Sequence, residues 1–179
     1  MPVSQTLRLV RFEPELLPQV LPWFDHPEVQ RRLGGRSWPA RELALRNIAW
    51  TEEFRGRRVL RAHTFLALDD DGTPVAQIGG DVYDRWTRWD PATERVTATD
   101  LHRTMGAAYV VDPRRWGRGH GTATLRAFVT AAELADVEQF VLGIEPDNAP
   151  SLGAARAAGF RPLTTEPDAE DMLYLHLVR

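Results

Sequence analysis

Apolar positions in this chain change period from two to between three and four and back, which predicts strands alternating with helices. Thr6-Leu7-Arg8-Leu9-Val10-Arg11-Phe12 alternates and reads as an edge strand. Glu13 to Arg32 predicts helical segments interrupted at Pro18, Pro22 and Pro27 and closed by a Gly34-Gly35 turn; Ala40 to Phe54 predicts a second helix. Val59 to Leu68 and Pro74 to Val82 read as two strands joined by Asp69-Asp70-Asp71-Gly72, where Asp-Gly supplies a hairpin turn. Tyr83 to Arg103 has no clear period and predicts a long loop or an irregular strand, a kind of segment that is often functional in a compact domain.

In the second half the pattern is sharper. Tyr109 to Val111 is apolar and leads into the glycine-rich stretch Trp116-Gly117-Arg118-Gly119-His120-Gly121-Thr122. Gly121 to Asp136 then places Leu125, Phe128, Val129, Ala132 and Ala135 on one helical stripe. Gln139 to Ile144 lacks polar alternation, as a strand covered on both faces does, so strand, loop, helix and strand make a βαβ unit. An alanine-rich helix follows, with Asn148 as a cap, Pro150 in the first turn and Gly159 as the left-handed residue that ends it. No internal repeat, low-complexity tract or linker interrupts the chain, and one domain over residues 1–179 is expected.

Glycines at alternate positions keep side chains out of the way and allow positive φ, so backbone N–H groups can converge on an anion at the positive end of the next helix. A Walker loop is a weak reading, because Thr122-Ala123 stands where Lys-Ser or Lys-Thr would be. A dinucleotide fingerprint fits poorly: counting from Gly119 its third glycine falls on Thr124, and the acidic Glu138 starts the next strand instead of ending it. A ligand-free tight turn explains the glycines taken alone, and helix capping explains Asn148, Pro150 and Gly159.

Glycines alternating with Arg118 and His120, followed by Asn148-x-x-Ser151 and Gly159-Phe160, resemble the two motifs of the GNAT-type acyl-CoA N-acyltransferases in the right order. Within that family, Trp116-Gly117-Arg118-Gly119, Ser151 with an alanine four residues on, and Trp23-Phe24-Asp25-His26-Pro27-Glu28-Val29 are similar to the ribosomal-protein alanine N-acetyltransferase and aminoglycoside 6′-N-acetyltransferase branch. The resemblance implies an α/β fold with a mixed, mostly antiparallel central sheet, helices on both faces and a splayed parallel pair at the acyl-CoA site. It implies that Tyr109, Val110 and Val111 offer backbone groups to the pantetheine arm and that the loop Trp116, Gly117, Arg118, Gly119, His120, Gly121 and Thr122 holds the pyrophosphate. It further implies that Asn148 reaches the pantetheine or a water beside the thioester and that the Ser151 hydroxyl lies near the leaving thiolate. Three positions depart from the family. Trp116 stands where relatives usually carry Arg or Gln, which the branch tolerates. Ala155 stands where many relatives carry a tyrosine that protonates coenzyme A, and Gly106 stands where some of the branch carry a glutamate as general base.

The chemistry needs a neutral amine and a route for its proton, and Asp81, Asp100 and His102 are the candidates for base or water-ordering group near the cofactor strand. Trp23, Trp38, Trp86 and Trp89, among six tryptophans, would either line an acceptor pocket or plug gaps at the edge of the core. Arg114, Arg115 and Arg118 flank the loop and are placed to meet a 3′-phosphate, whereas the run Arg55, Arg57, Arg58 and Arg61 reads as a solvated face. Asp81, Asp84, Asp90 and Asp100 are the carboxylates that would gather round a polycationic acceptor.

With no cysteine there is no disulfide, no thiolate metal site and no acyl-cysteine intermediate, so for acyl transfer the simplest route is direct attack by an amine on bound thioester. His26 and His63 have no ligand-like spacing, and no metal is expected. A net charge of −3 argues against nucleic acid as a partner. Met1-Pro2-Val3-Ser4-Gln5-Thr6-Leu7-Arg8 lacks the apolar core of a signal peptide, and no run reaches membrane-spanning length, so a cytoplasmic enzyme away from membranes is expected. The leading expectation is an acetyl-CoA-dependent N-acetyltransferase. Its acceptor is either a protein or peptide N-terminus or a small amine of the aminoglycoside kind, and a homodimer is left open. Its rival is a non-catalytic module that binds or senses acyl-CoA, to which Ala155 and Gly106 lend weight.

Overall fold

The computed structural model of this chain describes residues 6–179, so most of the amino-terminal stretch read as leaderless lies outside the described residues. The elements run β1 (Arg8–Arg11), α1 (Leu17–Val20), α2 (Pro27–Leu33), α3 (Ser37–Leu45), β2 (Val59–Leu68), β3 (Pro74–Tyr83), β4 (Trp86–Asp90) and β5 (Arg95–Asp100). They continue with β6 (Thr104–Val111), α4 (His120–Val129), β7 (Gln139–Ile144), α5 (Ala149–Ala157), β8 (Arg161–Pro162) and β9 (Leu173–Val178). Seven strands form one sheet in the order β1-β2-β3-β6-β7-β9-β8, with β1 at an edge as its alternation predicted, and β4 and β5 pair apart from it. Every pairing is antiparallel except β6 with β7.

Because side chains alternate across a strand, each strand feeds two cores. Phe65, Ile78, Met105, Phe140 and Leu142 pack with Leu125 and Phe128 of α4 and Leu152 and Ala155 of α5 on one face. Leu66, Leu68 and Val110 pack with Trp23, Phe24, Val29, Trp38 and Leu43 of the amino-terminal helical segments on the other. Trp23 and Trp38, 2% and 9% exposed, are therefore core residues and not pocket walls. Among the described residues no helix is long and apolar enough to cross a membrane.

Four segments differ from the sequence reading. Tyr83–Arg103 holds the β4–β5 hairpin; its period was masked by a register shift between Arg88 and Trp89 and by the exposure of most of β5. The second helix spans Ser37–Leu45 only, since Ile48, Trp50 and Phe54 beyond it have no core to face and stay 47%, 46% and 59% exposed. The helix expected to reach Asp136 stops at Val129, where the Thr130 hydroxyl bonds back to the carbonyls of Arg126 and Ala127 and a short 3-10 turn takes over. Finally, β9 slots between β7 and β8 in a carboxy-terminal region to which no element was assigned.

Candidate active site

Two adjacent arms of the sheet come apart at its centre. Pairing of β6 with β7 runs from Thr104–Gln139 to Ala107–Leu142 and stops there. β3 nevertheless accompanies β6 as far as Val111, and β9 accompanies β7 as far as Ile144. The facing edges of Ala108–Val111 and Gly143–Ile144 are thus unpaired, a wedge whose free backbone groups await a partner.

The glycine loop sits at the head of this wedge. Gly117 and Gly119 have φ of 74° and 82°, and a Cβ added to either would meet nothing within 4 Å, so conformation and not crowding calls for glycine. Gly119 caps α4 without a side-chain hydrogen bond. Among the described residues none of the amides from Gly117 to Thr122 donates to a protein acceptor. Unused amides at the positive end of a helix form an anion cradle. Fastenings hold the loop: Asp112, 2% exposed, accepts from the Arg114 amide and guanidinium, Arg115 pairs with Asp69 of the β2–β3 turn at 2.9 Å, and Trp116 Nε1 donates to the Val111 carbonyl. Of the flanking arginines, Arg118 alone makes no ion pair among the described residues. The His120 ring is turned inward, 2% exposed, and burial holds its pKa below the ordinary imidazole value, so it contributes its amide to the loop.

Across the wedge, the Tyr109 hydroxyl on β6 lies 2.8 Å from Ser151 Oγ in the first turn of α5, and burial pushes the phenol above its usual pKa. Asn148 caps that helix by accepting from the Ser151 amide, which leaves its carbonyl oxygen occupied. Gly121 brings α4 within 3.4 Å of the Ala154 methyl, measured from the Cβ it lacks. Ala155 is fully buried in the core, where a tyrosine would not fit without displacing its neighbours. Sequence reasoning gave Tyr109 a backbone role only; the alternation that turns residue 109 to the helix face was the available signal.

The other sheet face holds the titratable groups. Asp81 is the direct register partner of Gly106, so its carboxylate occupies the strand next to the one where the branch's glutamate would stand. Asp81 is half-buried and its pKa is raised by that burial. It accepts from the Tyr83 hydroxyl at 3.4 Å, and Tyr83 is itself pushed up to about 12, chiefly by burial. Glu42 on α3 is raised by burial and by the charge of Asp81. The missing side chain of Gly106 makes room for aromatic rings: an added Cβ would stand 3.1 Å from Tyr83 and 3.3 Å from Trp86. Beside them lies a cavity of about 380 Å³ walled by Trp86, Trp89 and Tyr174.

The remaining candidates are dispersed. Asp100 and His102 pair with each other at 2.5 Å in the segment before Thr104, at the end of β6 remote from the wedge. Asp84 is taken by Arg85 and the Arg58 amide, and Asp90 closes the β4–β5 turn through Ala92 and Thr93. α2 spans the site: the ring of His26, its N-cap, packs edge-on against Trp116 at 4.7 Å, and Arg32 bonds Glu28, Glu145 and Asp147.

A family model described as an acetyltransferase (GNAT) domain matches residues 6–161. An N-acetyltransferase 9-like protein of Caenorhabditis elegans is 27% identical over 169 residues, 90% of this chain and 78% of that protein. Among solved structures, the aminoglycoside acetyltransferase AAC(6′)-Ib in complex with coenzyme A has a TM-score of 0.65 at 16% identity, covering 97% of this chain and 95% of that one. A putative ribosomal-protein-serine acetyltransferase from Vibrio cholerae has a TM-score of 0.64 at 14% identity, covering 99% and 97%. At these identities the solved structures speak for the fold, which is the mixed α/β architecture expected.

Proposed function

The chain belongs to the GNAT acetyltransferase family and is an acetyl-CoA-dependent acetyltransferase, and from that premise we propose that it acetylates a primary amine by direct transfer, with the wedge between β6 and β7 aiming the donor. The observation that carries this reading is the coincidence of unpaired strand edges with unused amides at residues 117–122. Those amides hold the diphosphate, with Arg118 free to meet a further phosphate, and the edge at Tyr109, Val110 and Val111 holds the pantetheine. Bound there, acetyl-CoA supplies an activated thioester carbonyl.

The residues of this chain then handle protons. An ammonium cannot attack, and Asp81, whose raised pKa makes it a stronger base than an exposed aspartate, takes the proton from the incoming nitrogen. Asp100 and His102 are the poorer candidates on position. Ser151 Oγ, in its pair with the Tyr109 hydroxyl, holds a proton for the departing sulfur, and Tyr109 stands in for the phenol that Ala155 lacks. With no cysteine in the chain, nothing offers an S-acyl intermediate. The acceptor is a peptide N-terminus or a small amine, and the dispersal of Asp84, Asp90 and Asp100 counts against a polycation of the aminoglycoside kind.

Calorimetry with acetyl-CoA followed by a thiol-release assay over an amine panel tests the reading. Binding with release is expected; binding without release on any amine would favour a sensor. Ser151→Ala and Tyr109→Phe should each lower kcat and, because they share one hydrogen bond, fall well short of additivity in the double variant. Full turnover in both single variants removes the pair from the mechanism.

A further inference from the structure

The cavity beside Trp86 carries a guanidinium that forms no salt bridge among the described residues. Arg55, Arg57 and Arg88 line it together with the carboxylates of Glu166 and Asp168, and Asp168 accepts from the Tyr174 hydroxyl. Arg55 pairs with Glu170 at 3.2 Å, and Arg88 donates to the Leu163 carbonyl at 2.7 Å. Arg57 has no carboxylate partner within salt-bridge distance among the described residues. Its guanidinium carbon lies 4.5 Å from the centroid of Tyr83 and 4.0 Å from that of Trp86, its Nε is buried without an acceptor, and its one hydrogen bond, to the Thr87 carbonyl, is long at 3.5 Å. Burial lowers its pKa, as expected for a cation held against rings in place of water. Stacking explains where the guanidinium sits but leaves Nε and Nη2 without an acceptor among the described residues and Nη1 with only the long bond to Thr87, and such a planar fork suits an oxoanion.

Asp81 and Arg57 flank the same ring. Tyr83 touches the carboxylate through its hydroxyl and the guanidinium through its face. Trp86, beneath Arg57, is also the ring that fills the space over Gly106, and Tyr174 covers Gly143 at the mouth of the wedge. One side of this tyrosine therefore suits an amine and the other an anion, next to the point where β6 and β7 part.

We propose that the acceptor carries a carboxylate close to its reactive amine, and that Arg57, stacked on Tyr83 and Trp86, binds that carboxylate while the nitrogen lies at Asp81. Two sources present this chemistry: the α-carboxylate of a free amino acid, or the side chain of an acidic residue at a peptide N-terminus. The proposal rests on the amine-acetylating reading above.

Two matched pairs separate the sources: alanine against alaninamide, and the amidated dipeptides Asp-Ala against Asn-Ala. Thiol release is followed with each, and calorimetry with each in the presence of coenzyme A gives binding without turnover. In one pair the anionic member should exceed its neutral partner by about tenfold or more in kcat/KM and in affinity, as loss of a charge-assisted hydrogen bond implies. The pair that shows it names the source. Arg57→Met should bring that ratio near one, and Arg57→Lys should restore part of it. Circular dichroism and acetyl-CoA affinity of both variants confirm that the fold and the donor site persist. Neutral members equal to or better than anionic ones in both pairs, or a ratio unchanged in Arg57→Met, overturn the proposal and leave the amine-acetylating reading intact. Acetyl-CoA binding with no acceptor bound or acetylated overturns both.

Discussion

At the scale of single residues, the proposed mechanism depends on backbone conformation at Gly119 and on proton affinity at Asp81. A valine at 119 would have to adopt a φ of 82°, at a cost of about 1–2 kcal/mol before its methyls reach the anion cradle. Gly119→Val should therefore weaken acetyl-CoA binding by about tenfold or more in calorimetry, with the α4 core intact. Asp81→Asn should lower kcat on the order of a hundredfold. In the parent enzyme, activity should fall on the acid side at a pH above the ordinary aspartate range, since the raised carboxyl must be ionised to accept a proton. Stability moves in the opposite sense. A folded pKa above the unfolded one means the folded chain binds more protons, so stability declines as pH rises from the ordinary aspartate range through the raised pKa. Asp81→Asn removes that penalty, and its melting temperature at neutral pH should be above the parent's. A lower one would mean the carboxylate is structurally required.

Among the elements, α2 touches the segments that follow both arms of the wedge. Its cap His26 touches the glycine loop through Trp116, and its last turn grips Glu145 and Asp147 just before the Asn148 cap. Arg32, with 15% of its side chain exposed, shares Glu28 and Asp147 with Arg31 and is the one salt-bridge partner of Glu145 among the described residues. Arg32→Met should destabilise the fold by about 1–3 kcal/mol in denaturant titration. It should also speed amide exchange at Ser151 and Leu152, because the loop that caps α5 loses its tether. Unchanged exchange there would show that Asn148 holds the turn alone.

For the molecule as a whole, donor binding and stability are linked. Acetyl-CoA at a hundred times its Kd should stabilise the fold by about 2.7 kcal/mol, roughly 5–10 °C in Tm for a chain of this length. Gly119→Val should lose that increment, and Asp81→Asn should keep it.

Much of this architecture was legible in the order of residues. Glycine spacing, the Asn148 cap and the first part of the α4 stripe, Leu125 to Val129, are local features, governed by φ preference, capping and helical period, and each stands where its residues required. So does the strand–loop–helix–strand unit that carries the loop. Tertiary structure alone decided the rest. The β4–β5 hairpin has an exposed strand and a register shift, so no alternation announced it. That β6 and β7 part after Ala107 is a property of two strands 35 residues apart in their Thr104–Gln139 register. The pairing of Asp81 with Gly106, of Tyr109 with Ser151, and the stacking of Arg57 over Trp86 join segments that share no period. The chemistry proposed for this protein rests on such neighbours from separate elements, and neighbourhood between elements is set by register and packing, which a linear pattern does not encode.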